Sequence, residues 1–227
     1  MRTHLFRPDG DGEFPGVVLY SEIYQMTAPI ARTAAMVAGH GFVVAVPDVY
    51  HEFTEPGEAF EYDKPGTDRG NELKISKTVA GYDADTRAVI DFFKQDATST
   101  GKIGSLGICL GGHLAFRAAM NPEVDACVTF YATDIHQGSL GDGDDSLARI
   151  PDIAAELLMV WGRQDPHVPL HGRRTIYDAL VAAETSFEWL ELNGEHAFMR
   201  DIGHRYDPAL AQMLMGVVHQ KFTATLK

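Results

Sequence analysis

The residues best suited to covalent chemistry sit together in Gly107-Ile108-Cys109-Leu110-Gly111-Gly112. This thiol follows the apolar run Lys102–Gly107 and opens a helix-period segment, Leu110–Met120, which is the setting of a nucleophile elbow with cysteine in place of serine. Small flanking residues let backbones approach across a tight strand-to-helix turn. A helix N-terminus beneath the sulfur stabilises negative charge on it and on an oxyanion, for which the Leu110 N–H is one candidate donor. Taken alone, the hexapeptide also fits a buried core cysteine. Cys127, inside an apolar run, has only that second meaning.

Two further segments bring the partners a thiol needs. Gly162-Arg163-Gln164-Asp165-Pro166-His167-Val168-Pro169 places a carboxylate in a turn after the run Leu157–Trp161. Asn193-Gly194-Glu195-His196-Ala197-Phe198 places a histidine after the last strand-like run, Ser186–Leu192. Asp165 alone could be a turn residue and His196 alone a surface histidine. All three following strands, in the order nucleophile, acid, histidine, is the order of α/β-hydrolases, in which an oriented base activates a weak nucleophile.

Elements that could position these groups are legible along the chain. Short apolar runs at Gly16–Tyr20, Phe42–Val46, Lys102–Gly107, Ala126–Tyr131 and Leu157–Trp161 suit strands buried on both faces. Ser186–Leu190 alternates, as an edge strand does. Helices are expected over Ala28–Ala38, Tyr82–Lys94, Leu110–Met120, Gly172–Ala183 and Asp207–Phe222. The alternation predicts a mostly parallel sheet with helices on both faces and functional loops at the strands' carboxyl ends. His51–Lys74, polar and rich in Pro and Gly, is expected as an excursion, solvated or folded over a site.

Composition narrows the function classes. The 227 residues carry a formal charge of −13, which disfavours nucleic acid and anionic membrane surfaces as partners. Two cysteines make neither a disulfide framework nor a four-thiolate zinc site. Acidic residues at 9, 11 and 13 and the lack of an apolar core near Met1 argue against a secretory leader, so the expected compartment is cytoplasmic. No run approaches the length of a membrane span. The histidines at 51, 136, 167 and 171 show no metal-ligand spacing and read as loop histidines. His113, beside the elbow glycines, could line a pocket or pack on the sheet. No nucleotide or flavin motif is present, so no cofactor and no metal are expected.

The chain resembles the dienelactone hydrolases (carboxymethylenebutenolidases), the cysteine branch of the α/β-hydrolases. The resemblance runs through Ser21-Glu22-Ile23-Tyr24, Val46-Pro47-Asp48-Val49-Tyr50, the elbow with His113-Leu114-Ala115-Phe116, Gly162–Pro169 and Glu195-His196-Ala197-Phe198. It implies one α/β-hydrolase domain over 1–227 without a cap, and Cys109, His196 and Asp165 as a triad. It also implies that Glu22 contacts the thiol and helps remove its proton, and that the Ile23 N–H is the second oxyanion donor. A substrate carboxylate would be held by Arg200, with Arg69 the nearest counterpart of a second family arginine, although its surroundings align poorly. The implied activity is opening of small, carboxylated lactones or esters by a monomer or small homo-oligomer. Alternatives are a carboxylesterase or thioesterase of the same family, or a small-molecule-binding protein that has kept the pocket.

Overall fold

The computed structural model describes residues 1–227. Seven strands form one sheet: β1 (Thr3–Phe6), β2 (Phe14–Tyr20), β3 (Val43–Pro47), β4 (Ser99–Ile108), β5 (Val124–Phe130), β6 (Glu156–Gly162) and β7 (Phe187–Leu192). Their order across the sheet is β1-β3-β2-β4-β5-β6-β7. Only β1 runs antiparallel, pairing Thr3–Phe6 with Pro47–Val44. Six helices connect them: α1 (Ala28–Gly39), α2 (Lys64–Ser76), α3 (Val79–Gln95), α4 (Leu110–Ala118), α5 (Leu170–Ala182) and α6 (Pro208–Leu226).

The continuous apolar runs are explained by a sheet covered on both faces. In β3, Val43 and Ala45 join the core beneath α3, α4 and α5, whereas Val44 and Val46 join the one beneath α1 and α6. β7 is an edge strand, as its alternation predicts, with Phe187 and Trp189 half-buried on one face. No helix is long and apolar enough to cross a membrane.

Two elements depart from the sequence expectation. β1 is four residues long and mostly half-exposed, too short and too wet to give an apolar signature. α2 lies within the segment expected as an excursion. Its polar sequence, KPGTDRGNELKIS, hides the periodicity, although its start signal is plain. Asp63 caps the helix by accepting from the Gly66 N–H at 2.8 Å, and Pro65 occupies the first turn, where no donor is needed.

The β-to-α turns after β2, β4, β5, β6 and β7 all lie at the strands' carboxyl edge. That edge therefore collects Glu22, Cys109, Asp134, Asp165 and His196.

Candidate active site

Cys109 is the single residue between β4 and α4, with φ 62° and ψ −121°. A left-handed φ on a non-glycine residue costs about 1–3 kcal/mol and persists where surrounding structure imposes it. Here the Cys109 N–H donates to the Phe130 carbonyl at 3.0 Å, and its own carbonyl accepts from Gly112 and Thr133 N–H groups at 3.0 and 3.3 Å. The first turn of α4 presses against the end of β2 so closely that a Cβ on Gly111 would lie 2.1 Å from the Tyr20 carbonyl oxygen. The thiol is thus held at the cavity wall above a helix N-terminus. The N–H of Leu110, first in that helix, has no acceptor within it, and the Ile23 N–H makes no hydrogen bond.

Behind the thiol stand the carboxylate and imidazole. Asp165 Oδ2 accepts from His196 Nδ1 at 2.7 Å, and Oδ1 accepts from the His167 backbone N–H at 2.8 Å. Their loops are tied to each other through Arg163 N–H to Leu192 O at 2.8 Å and Gln164 N–H to Gly194 O at 3.0 Å. With Nδ1 committed to Asp165, Nε2 is the atom left for the thiol side. Edge contacts from Tyr131 and His167, with centroids at 4.8 and 4.6 Å, brace the ring. Burial opposes the imidazolium, but the Cys109 sulfur and Asp165 outweigh it and raise the His196 pKa to about 10. Burial works against the Asp165 carboxylate too, yet His196 and the His167 N–H hold its pKa below the ordinary value.

The cavity in front of these groups encloses about 530 Å³. Glu22 is buried in its wall, accepting from the Tyr62 hydroxyl at 2.9 Å, with Arg200 Nη1 3.9 Å from its other oxygen. Desolvation raises the Glu22 pKa against the opposing pull of Arg200, the Tyr62 hydroxyl and His196. Cys109, Glu22, Ile23, His196 and Arg200, expected from residues far apart in the chain, all line this one cavity, with Asp165 directly behind His196.

Arg69 is not brought there. It lies on the outer side of α2, 42% exposed, and pairs with Glu72 at 2.9 Å, because helical geometry turns it away from the cavity face that carries Thr67, Asn71 and Lys74. The cavity's other cations are Lys74, bound to Asp134 at 3.0 Å, and Arg205, 3.6 Å from Glu195. His113 does not line the cavity; it is fully buried, with Nε2 2.7 Å from Ser146 Oγ. His167, expected as an ordinary loop histidine, lines the cavity beside His196. Tyr62, Lys74 and Asp134 carried no motif. The Thr67–Asn71–Lys74 spacing of 4 and 3 was the one signal available for the α2 face.

Residues 1–225 match the sequence profile of the dienelactone hydrolase family. The chain belongs to the dienelactone hydrolase family. A Saccharomyces cerevisiae protein assigned as a carboxymethylenebutenolidase is 41% identical over 240 residues, spanning all of this chain and 88% of that protein. The carboxymethylenebutenolidase of Pseudomonas putida is 27% identical over 201 residues, 88% of this chain and 81% of that one. A solved Klebsiella pneumoniae structure, assigned as a dienelactone hydrolase, superposes with a TM-score of 0.83 at 22% identity, covering 97% and 92% of the two chains. The fold is that of the α/β-hydrolases, with no separate cap, and this dienelactone hydrolase family member is a hydrolase of ester or lactone bonds.

Proposed function

We propose that this hydrolase opens lactones or esters of small, carboxylated substrates through a thioester acyl-enzyme on Cys109. The observation that carries this reading is the 2.7 Å Asp165–His196 pair set beside a thiol on a strained elbow. The Cys109 sulfur attacks the carbonyl carbon, and the Ile23 and Leu110 N–H groups hold the oxyanion, each worth about 3–4 kcal/mol of barrier. The carbon–oxygen bond to the leaving group breaks, and imidazolium His196 protonates that oxygen. Water then attacks the thioester, giving its proton to His196, and the sulfur is released with the product acid. Asp165 keeps the imidazole in the tautomer that leaves Nε2 toward the sulfur.

Glu22 serves as acceptor for the thiol proton, a role consistent with a buried carboxyl whose pKa lies above its usual range. Arg200 supplies the carboxylate anchor. Its Nη groups make no hydrogen bond within the protein, since Glu22 at 3.9 Å is beyond one, so its planar fork is available to a substrate. The chain's −13 charge makes such local positive charge necessary for holding an anion.

The test is hydrolysis of cis-dienelactone and of p-nitrophenyl esters by Cys109→Ala. A fall in kcat of about three orders of magnitude or more is expected. Retention of the wild-type rate would falsify the nucleophile assignment.

A further inference from the structure

Tyr62 lies in the loop before α2, outside the Cys-His-Asp set, and its two ends do different things. Its single hydroxyl proton goes to Glu22 Oε2 at 2.9 Å, so the Thr27 hydroxyl at 2.7 Å must donate to it. Its ring lies under the Arg200 guanidinium, 4.3 Å from the centroid, and the ring of Tyr24 meets it edge-on at 4.6 Å. Arg200 is fixed at its root by Nε donating to the Ile202 carbonyl at 3.1 Å. Stacking engages the face of the guanidinium and leaves the in-plane terminal N–H groups unoccupied. One side chain thus holds both the cavity's buried carboxyl and a cation whose terminal N–H groups make no hydrogen bond within the protein.

We infer that Tyr62 is a positioning residue that acts through both of its ends. The hydroxyl sets Glu22 for proton exchange with the thiol, and the ring presents the Arg200 fork to a substrate carboxylate. The inference rests on the function proposed above. A tyrosine that only filled space would affect charged and neutral substrates alike. The groups around Glu22 are few enough to make the hydroxyl's effect readable. They are Arg200 and His196 from the segment after β7, Cys109 from the elbow, Tyr131 from the end of β5, and Tyr62 itself. On the α1 side, Pro29, Ile30 and the uncharged Thr33 share a small cavity with Glu22, and Arg32 acts electrostatically on Tyr62.

The test compares mono-p-nitrophenyl glutarate, which carries a carboxylate, with p-nitrophenyl butyrate, which does not, from pH 4 to 9. Y62L is expected to raise KM for the glutarate ester about 3–30-fold while leaving KM for the butyrate ester unchanged, because only the anion uses the stacked guanidinium. Y62F keeps the ring and both KM values. It is expected to move the acid limb of kcat/KM up by about one pH unit on both esters, since losing a donor favours the neutral carboxyl. Equal effects of Y62L on the two esters, or an unmoved limb in Y62F, would overturn the assignment. Should circular dichroism show Y62L unfolded, the limb in Y62F decides by itself. R200A and C109A run alongside separate the two levels. An unchanged glutarate KM in R200A, or full activity in C109A, sinks the proposed function. A raised KM in R200A with none in Y62L sinks only the role of Tyr62.

Discussion

At the scale of single residues, the site is governed by what stands next to an ionisable atom. His196 is buried and still binds its proton tightly, because the Cys109 sulfur and the Asp165 carboxylate outweigh desolvation. A pKa raised above the unfolded value of 6.5 means that the native state holds the proton more strongly. The stability this contributes is complete below about pH 6.5 and is lost as pH rises through about 10. Urea midpoints of the wild type are therefore expected to fall between pH 7 and 10 more steeply than those of Cys109→Ala, in which the sulfur is gone. Parallel curves would show that the sulfur does not hold the imidazolium. Cys127 illustrates the opposite environment. Fully buried in β5, its thiol is pushed up to about 12 by desolvation, partly offset by Ser105, and iodoacetamide is expected to label Cys109 and spare Cys127 in the native protein. Mass spectrometry of the labelled peptides checks this, and equal labelling would refute it.

At the scale of elements, α2 does more than cover an edge of the cavity. It packs on the segment after β2 so closely that a Cβ on Gly70 would lie 2.4 Å from the Ile23 carbonyl oxygen, and the Tyr50 hydroxyl donates to the Gly70 carbonyl at 3.0 Å. A helix pressed against Ile23 holds the backbone N–H that the proposed mechanism assigns to the oxyanion. Gly70→Ala must displace one backbone from the other, and kcat on p-nitrophenyl esters is expected to fall about 10–100-fold, less than loss of a whole oxyanion donor. An unchanged kcat in a folded variant would show that α2 does not position Ile23. The same element explains the misplacement of Arg69. In the sequence it is the positive charge nearest to where the family resemblance places one, but on a helix starting at Lys64 it falls on the face opposite the cavity.

At the scale of the whole molecule, the site is supported from behind by a polar network, buried at His113, Arg117 and Ser146, that does not line the cavity. His113 on α4 bonds to Ser146. Arg117, one turn on, donates to Asp83 at 2.9 and 2.7 Å and to Asp145 and Ser146 at 2.8 Å. These contacts bind the elbow helix to α3 and to the 139–149 loop. Burial lowers the His113 pKa to about 4, against the opposing pull of Asp144 and Asp134. Folded His113 therefore stays neutral while the unfolded chain takes up a proton below 6.5, so stability declines as pH falls from 6.5 toward 4, by about 3 kcal/mol at most. Replacing His113 with Leu is expected to flatten that decline in urea denaturation. An unaltered slope would place the acid sensitivity elsewhere.

What the sequence determined by itself is which groups were candidates for the chemistry and their order along the chain. Glycines around Cys109, a carboxylate after the run at 157–161 and a histidine after the run at 186–192 are local patterns, and a parallel sheet brings strand carboxyl ends to one edge whatever the packing details. The layered fold followed for the same reason, since runs such as Val43–Val46 can be satisfied only with helices on both faces. The tertiary structure alone decided the surroundings of those groups. Lys74 and Asp134 reach the cavity from segments with no motif, His167 turns into it beside His196, Tyr62 comes to lie against Glu22 and Arg200 in its wall, and Arg69 leaves it, because each depends on which way an element faces once packed. Burial belongs to the same class. Whether Glu22 is a solvated strand-end residue or a carboxyl held by Tyr62 beside Arg200 is decided by neighbours 40 and 178 positions away, which no local pattern encodes.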